Sequence, residues 1–112
     1  MDMKLDLARE AALKILYEIN EKGAYSNIAL NKYFSGHELT ERDRAFVTEL
    51  VYGAVKWKLT LDRMISACSS IRLEKLSPWI RNILRLGAYQ LQYLTRVPPS
   101  AAVNESVKLA RR

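Results

Sequence analysis

The sequence is poor in the residues that carry most metal, redox and covalent chemistry. Among its 112 residues, cysteine occurs once, at Cys68, and histidine once, at His37. A lone cysteine forms no intrachain disulfide, which excludes a disulfide-stapled mini-protein. It points instead to a reducing, cytoplasmic setting. One cysteine and one histidine also fall short of the three or four Cys and His ligands of a zinc site, so no metal site is expected. No apolar run approaches the roughly 18–20 residues of a membrane span. Gly-rich phosphate loops of either the G-x-G-x-x-G or the Walker A type are lacking, as are a nucleophile elbow and an H-E-x-x-H pair. Hydrophobic residues at 49% and charged residues at 27% exclude a wholly disordered chain. What remains is one small globular domain, residues 1–112, with no catalytic residue in view.

Charge is plentiful and unevenly placed. Lys and Arg number 18 against 12 Asp and Glu, a net of +6. Residues 1–36 carry five of each sign, and residues 37–76 carry seven basic and six acidic groups. Residues 77–112 carry six basic groups and one acid, Glu105. A basic excess of this kind attracts polyanions, nucleic acid foremost. The competing reading is a solvated face that serves solubility.

Four glycines and three prolines punctuate long stretches of helical period. The first helix is expected from about Leu7 to Glu21, with Asp6 as its N-cap and Gly23 just past its end. Ala8, Ala12, Ile15, Leu16 and Ile19 share its apolar face. A short helix from Ser26 to Phe34 follows, offering Ile28, Leu30 and Phe34 for burial, then a loop at 35–38. Thr40-Glu41-Arg42-Asp43 resembles a capping box that opens a third helix, whose Phe46, Leu50, Ala54 and Trp57 repeat on one face. Gly53 interrupts that pattern at a cost of about 1 kcal/mol relative to Ala, and a close helix crossing would account for it. Thr60 is expected to cap a short helix that runs to Cys68, where the thiol joins Met64 and Ile65 on the core side as an inert group. Ser77-Pro78 is a clear helix start, and the segment to Leu94 places Ile80, Ile83, Leu84, Gly87 and Leu91 on its apolar side. After Val97-Pro98-Pro99, Ser100 opens a last helix with Val103, Val107 and Ala110 inward. This segment runs into Arg111 and Arg112 without a cap or stop, so the chain is expected to be an N-terminal fragment of a longer protein.

Binding features stand out more than catalytic ones. Arg81, Arg85, Tyr89 and Gln92 follow at i, i+4, i+8 and i+11 and share one narrow stripe of a helix, which Arg96 would extend. Guanidinium groups fork onto phosphates, and tyrosine stacks on unpaired bases. A structural role for Arg85, tied to Glu105, is the alternative. Lys4 and Arg9 open or precede the first helix, where side chains and backbone amides can meet a phosphate. Asp2, Asp6 and Glu10 work against an anion site there. His37 reads as a surface loop residue. The acids Glu38, Glu41 and Asp43 suit a helix N-terminus without catalysis.

Three stretches together resemble the NusB-like all-α domain: Ala8-Arg9-Glu10-Ala11-Ala12-Leu13-Lys14-Ile15-Leu16-Tyr17, Leu84-Arg85-Leu86-Gly87-Ala88-Tyr89-Gln90-Leu91, and Val97 to Ala110. Their order and spacing fit nearly the whole chain. Asp43-Arg44-Ala45-Phe46 followed by Leu50-Val51-Tyr52-Gly53-Ala54-Val55-Lys56-Trp57 looks most like the N-terminal domain of the Sun/Fmu (RsmB) ribosomal RNA cytosine-C5 methyltransferases. The antitermination branch usually has an arginine-rich start, where this chain has only Lys4 and Arg9 among acids. The family's closing helix, a Phe-Val-Asn-like segment, has no counterpart before Arg112.

The resemblance implies a compact helical bundle that lacks the family's last helix. It further implies a non-catalytic RNA-binding domain that helps position ribosomal RNA for an attached methyltransferase domain. S-adenosylmethionine and the catalytic cysteines would belong to that other domain, so this chain has no cofactor and Cys68 inherits no role. Implied partners are ribosomal RNA, the C-terminal methyltransferase domain and a small-subunit ribosomal protein, with no membrane. The expected RNA contacts are Lys4, Arg9, Arg81, Arg85, Tyr89, Gln92 and Arg96; only Arg9 is carried over from the family, and the Arg81–Gln92 stripe rests on helix spacing. Two alternatives stay open: an antitermination factor binding RNA with a ribosomal protein, and a protein-interaction or packing domain with little RNA contact.

Overall fold

The computed structural model of the chain describes the backbone of residues 3–68 and 70–94 and the side chains of residues 7–67 and 70–94. Among the described residues five α-helices succeed one another: α1 (Met3–Lys22), α2 (Ser26–Gly36), α3 (Glu41–Lys56), α4 (Lys58–Cys68) and α5 (Pro78–Tyr93). A 3₁₀ turn at Leu73–Lys75, not foreseen from the sequence, precedes α5. No strand occurs among the described residues, so the expected all-α class holds. The chain divides into two compact units, Met1–Tyr52 and Gly53–Arg112, with the boundary inside α3. The expected helix from Ser100 and the prolines before it lie outside the described residues, as does the Cys68 side chain.

In the first unit α1 packs against α2. Helix α1 starts at Met3, one turn before the expected cap, so Asp6 lies within the helix rather than at its N-terminus. Its buried face is wider than a single stripe. Ala8, Ala11, Ala12, Leu13, Ile15 and Leu16 are all buried. Small and branched side chains over about two and a half turns let neighbouring elements pack closely against it. Gly23 ends the helix as expected. Its φ of +74° is a left-handed conformation that glycine adopts without strain. From there the N–H groups of Gly23 and Ala24 donate to the carbonyls of Ile19 and Glu18 at 3.2 and 3.0 Å. Helix α2 continues two residues past Phe34, and of its three expected core residues Leu30 is buried while Ile28 is exposed. The capping reading at Thr40 holds: its Oγ1 accepts from the N–H of Asp43 at 3.1 Å. Helix α3 buries Val47, Leu50, Val51 and Ala54, a face turned slightly from the expected one.

In the second unit α4 packs against α5 and meets the 3₁₀ turn. Only Trp57 separates α3 from α4, and the junction is tied on both sides. The Trp57 N–H donates to the Gly53 carbonyl at 3.0 Å, and the Leu61 N–H donates to the Trp57 carbonyl at 2.8 Å. Ser77 caps α5 as predicted, its hydroxyl accepting from the Ile80 N–H at 3.2 Å, with Pro78 at the first helical position.

Helix α5 departs most from expectation. Asn82, Ile83, Arg85, Leu86, Gly87, Tyr89 and Gln90 are its buried residues, while Ile80, Leu84 and Leu91 remain substantially exposed. At 100° per residue, the helix is turned by roughly a third of a revolution from the orientation its aliphatic residues suggest. The buried polar groups are satisfied where they lie. Asn82 Nδ2 donates to the Pro78 carbonyl at 2.7 Å and Gln90 Nε2 to the Leu86 carbonyl at 3.3 Å. A polar side chain that finds such partners can occupy the interior at little cost.

Candidate nucleic-acid interface

The division into units sorts the charge more sharply than division by thirds. Residues 1–52 carry seven Lys and Arg against nine Asp and Glu. Residues 53–112 carry eleven against three, a net of +8. One of those three acids is already engaged. Arg85 Nε donates to Asp62 Oδ1 at 2.7 Å, its terminal nitrogen donates to Oδ2 at 3.3 Å, and its other terminal nitrogen donates to Asn82 Oδ1 at 3.2 Å. The forked geometry is the strong form of a charge-assisted pair. It binds α5 to α4 and removes Asp62 as an opponent of neighbouring cations.

The same geometry relocates the stripe expected from spacing. Arg85 is only 6% exposed and is held by Asp62, whereas Glu105 lies outside the described residues. Tyr89 is 7% exposed and stacks on Tyr93, with centroids 5.5 Å apart. It also lies directly against Gly53: a Cβ there would overlap the Cζ and Oη of its ring. The close approach expected at Gly53 is therefore made by an aromatic ring of α5. Arg81 is half-exposed and donates from Nη1 to the Leu76 carbonyl at 3.2 Å, tying the helix start to the preceding turn. Gln92 is exposed. The four residues share a helix face as predicted, but that face is the inward one, and only its two ends meet solvent.

Arg9 is likewise interior, 1% exposed, with its guanidinium carbon 5.9 Å from the centroid of the Phe46 ring. Because α1 begins at Met3, Arg9 lies in the second turn, past the free N–H groups of the helix start. The expectation of a helix-terminus phosphate contact at Arg9 gives way to a structural role in the first unit. The Lys4 side chain and Arg96 lie outside the described residues. His37 is exposed as expected. It stacks on Tyr33 at 3.9 Å, and its Nδ1 is 2.9 Å from the Tyr33 carbonyl.

Among the described residues of the second unit, the outward basic groups are others. Lys56 and Arg63 are exposed, and Lys58 is half-exposed. Arg72 and Lys75 are exposed too, Arg72 lying 3.7 Å from Glu74 in a surface pair worth little. Between Lys56 and Lys58 sits Trp57, partly exposed and stacked on Tyr93 at 5.2 Å. Reading charge by thirds of the chain passed over this junction, because its bases fall in a segment that is nearly neutral overall. The usable signal was the Lys-Trp-Lys run itself, an aromatic flanked by cations. Among the described residues, no group of three or more His, Cys, Asp or Glu side chains is placed to hold a metal ion. No helix of the described residues is long and apolar enough to cross a membrane.

An all-α chain with one basic unit is a frame for contact with a polyanion. The sequence matches the model of the NusB family over residues 6–112, and the chain belongs to that family. It is 44% identical over 104 residues to a probable ribosomal RNA small subunit methyltransferase B of Synechocystis sp., an alignment covering 93% of this chain and 23% of that protein. It is 34% identical over 111 residues to the transcription antitermination protein NusB of Bacillus velezensis, covering 98% of this chain and 82% of that one. The fold is similar to a chain in the crystal structure of antitermination factors NusB and NusE in complex with double-stranded RNA. That similarity has a TM-score of 0.88 at 23% identity and covers 99% of this chain and 83% of the other. The chain thus spans about a quarter of the length of its methyltransferase relative.

Proposed function

We propose that this chain is a non-catalytic RNA-binding domain that holds small-subunit ribosomal RNA for a cytosine-C5 methyltransferase domain of the same polypeptide. The observation that carries the reading is the likeness to a ribosomal RNA methyltransferase along nearly all of this chain and only 23% of the relative. The net charge of +8 on residues 53–112 supplies the attraction to phosphate. S-adenosylmethionine and the methyl-transfer chemistry are assigned to the further domain, and the setting is cytoplasmic. The RNA-facing groups of this chain are Lys56, Lys58, Arg63 and the exposed part of Arg81, with the exposed Gln92 as a further polar contact. Arg85 and Tyr89 act by holding α5 in place.

Affinity for a small-subunit ribosomal RNA fragment, measured against salt, tests the binding part. The logarithm of the affinity should fall with that of salt by about 0.7 for each single-strand phosphate neutralised. Lys56→Gln and Arg63→Gln should each shallow that slope, while Lys14→Gln in the first unit should not. Deleting the domain from the full-length methyltransferase tests the positioning part. KM for ribosomal RNA should rise with kcat little changed, the mark of lost uniform binding. Unchanged KM would leave a packing domain with little RNA contact.

The likeness to antitermination protein NusB along 82% of its length favours one second reading, a free-standing antitermination factor that binds RNA with a small-subunit ribosomal protein. A native reading frame that closes about one helix beyond Arg112 would decide for it. A long cofactor-binding domain in that frame would decide against it.

A further inference from the structure

Three aromatic rings of the second unit form a continuous stack. Tyr89, buried against Gly53, stacks on Tyr93 with centroids 5.5 Å apart and planes 27° from parallel. Tyr93 stacks in turn on Trp57, at 5.2 Å and 13°. The stack therefore runs from the interior, where Tyr89 is 7% exposed, to the surface, where Trp57 is 38% exposed. Its outermost ring is fixed in space. Trp57 is the single residue between two helices, and its N–H and carbonyl are both committed to helical hydrogen bonds. One face of the indole is covered by Tyr93. The Lys56 ammonium stands 5.3 Å from the indole centroid.

A flat, rigid, partly solvent-facing indole backed by two further rings, with cations on either side in sequence, is a platform for a planar ligand that carries negative charge. Nucleobases of an unpaired strand have that chemistry: a π-face for the ring and a phosphate for the lysine. Bases inside a duplex keep their faces on their neighbours and cannot use the platform. We propose that Trp57 is a base-stacking subsite for single-stranded RNA, with Lys56 leaving the indole to pair with the adjoining phosphate. The exchange is favourable because an exposed cation–π contact is weaker than a base–aromatic stack. Asp62 opposes it little, since its carboxylate is engaged by Arg85. This inference rests on the RNA-binding reading above and names where an unpaired base would sit.

The test uses the full 112-residue chain with Trp79→Phe, so that Trp57 is the one remaining indole. The probes are a single-stranded RNA 12-mer and an RNA hairpin of equal charge with a minimal loop. Trp57 fluorescence should be quenched by the single strand and far less by the hairpin. Trp57→Leu should weaken single-strand binding about ten-fold, Trp57→Phe by much less, and neither should change the salt slope, because no phosphate contact is lost. Lys56→Gln should reduce the slope by about 0.7. Comparable helical circular dichroism of the Phe and Leu variants separates lost stacking from lost folding. Equal quenching by both probes, or a Trp57→Leu variant that binds the single strand as the parent does, overturns the stacking subsite while RNA binding stands. Failure of the parent chain to bind either probe overturns both readings.

Discussion

Replacing Asp62 by asparagine should destabilise the protein more than removing Arg85, its partner, does. Asparagine keeps the shape of the side chain and one acceptor oxygen but takes away the negative charge. The Arg85 side chain is only 7% exposed, so its full positive charge would stay in an interior that solvates it poorly. Breaking a fully buried pair from one side costs about 3–5 kcal/mol. Asp62 is 23% exposed, so water reaches this pair, and the Asn82 oxygen still accepts from Arg85. A loss of about 2–3 kcal/mol follows for Asp62→Asn. Arg85→Met removes the buried charge and fills a similar volume, and the remaining carboxylate can rehydrate through its exposed edge. Its cost should be about 1 kcal/mol. The double variant should resemble Arg85→Met alone, giving a coupling of about 2 kcal/mol in the cycle. Urea unfolding with a common m-value reads all four corners, and a thermal scan should show shifts of about 4–8 °C per kcal/mol. Additive effects of the two single changes would refute the structural role. So would an Arg85→Met variant of undiminished stability whose RNA affinity loses part of its salt dependence, because Arg85 would then be a phosphate contact as its spacing suggested.

Gly53→Ala should destabilise by about 1–2 kcal/mol although alanine is the better helix former by about 1 kcal/mol, because the new methyl group meets a Tyr89 ring already pinned by Tyr93. In a Tyr89→Ala background the same change should become stabilising by about 1 kcal/mol, and a cycle without that reversal of sign would count against the close approach. Tyr33 ionises above the usual phenol value of 10.0, first because burial disfavours the phenolate and second because Glu10 repels it. A folded state that holds the proton more tightly than the unfolded one contributes stability fully present below pH 10 and lost as pH rises through the folded value. Unfolding free energy measured from pH 8 upward should therefore decline beyond pH 10, and Tyr33→Phe should make that decline shallower.

Much of this architecture is local in origin and was legible along the chain. Sparse glycine and proline, the Thr40 and Ser77 caps and the glycine after α1 act within one or two turns, so their signals sit next to the helices they start and stop. The all-α class and most helix boundaries followed from them. The unforeseen start of α1 at Met3 shows the limit of such signals, since Asp6 is a good cap residue that the helix passes through. Gly53 announced a close approach, but its partner, 36 residues away, could not be read from spacing.

The orientation of α5 belongs to tertiary structure alone. Periodicity marks which residues of a helix share a face, and Arg81, Arg85, Tyr89 and Gln92 do share one. It does not say which face turns inward when both sides are mixed in polarity. Asp62 decides that here: a carboxylate on α4 makes an interior arginine affordable, and Gly53 opens the space that the Tyr89 ring fills. Composition alone determined that the chain is basic. Folding decided which cations reach solvent: Arg9 and Arg85 are buried, while Lys56 and Arg63 stay exposed.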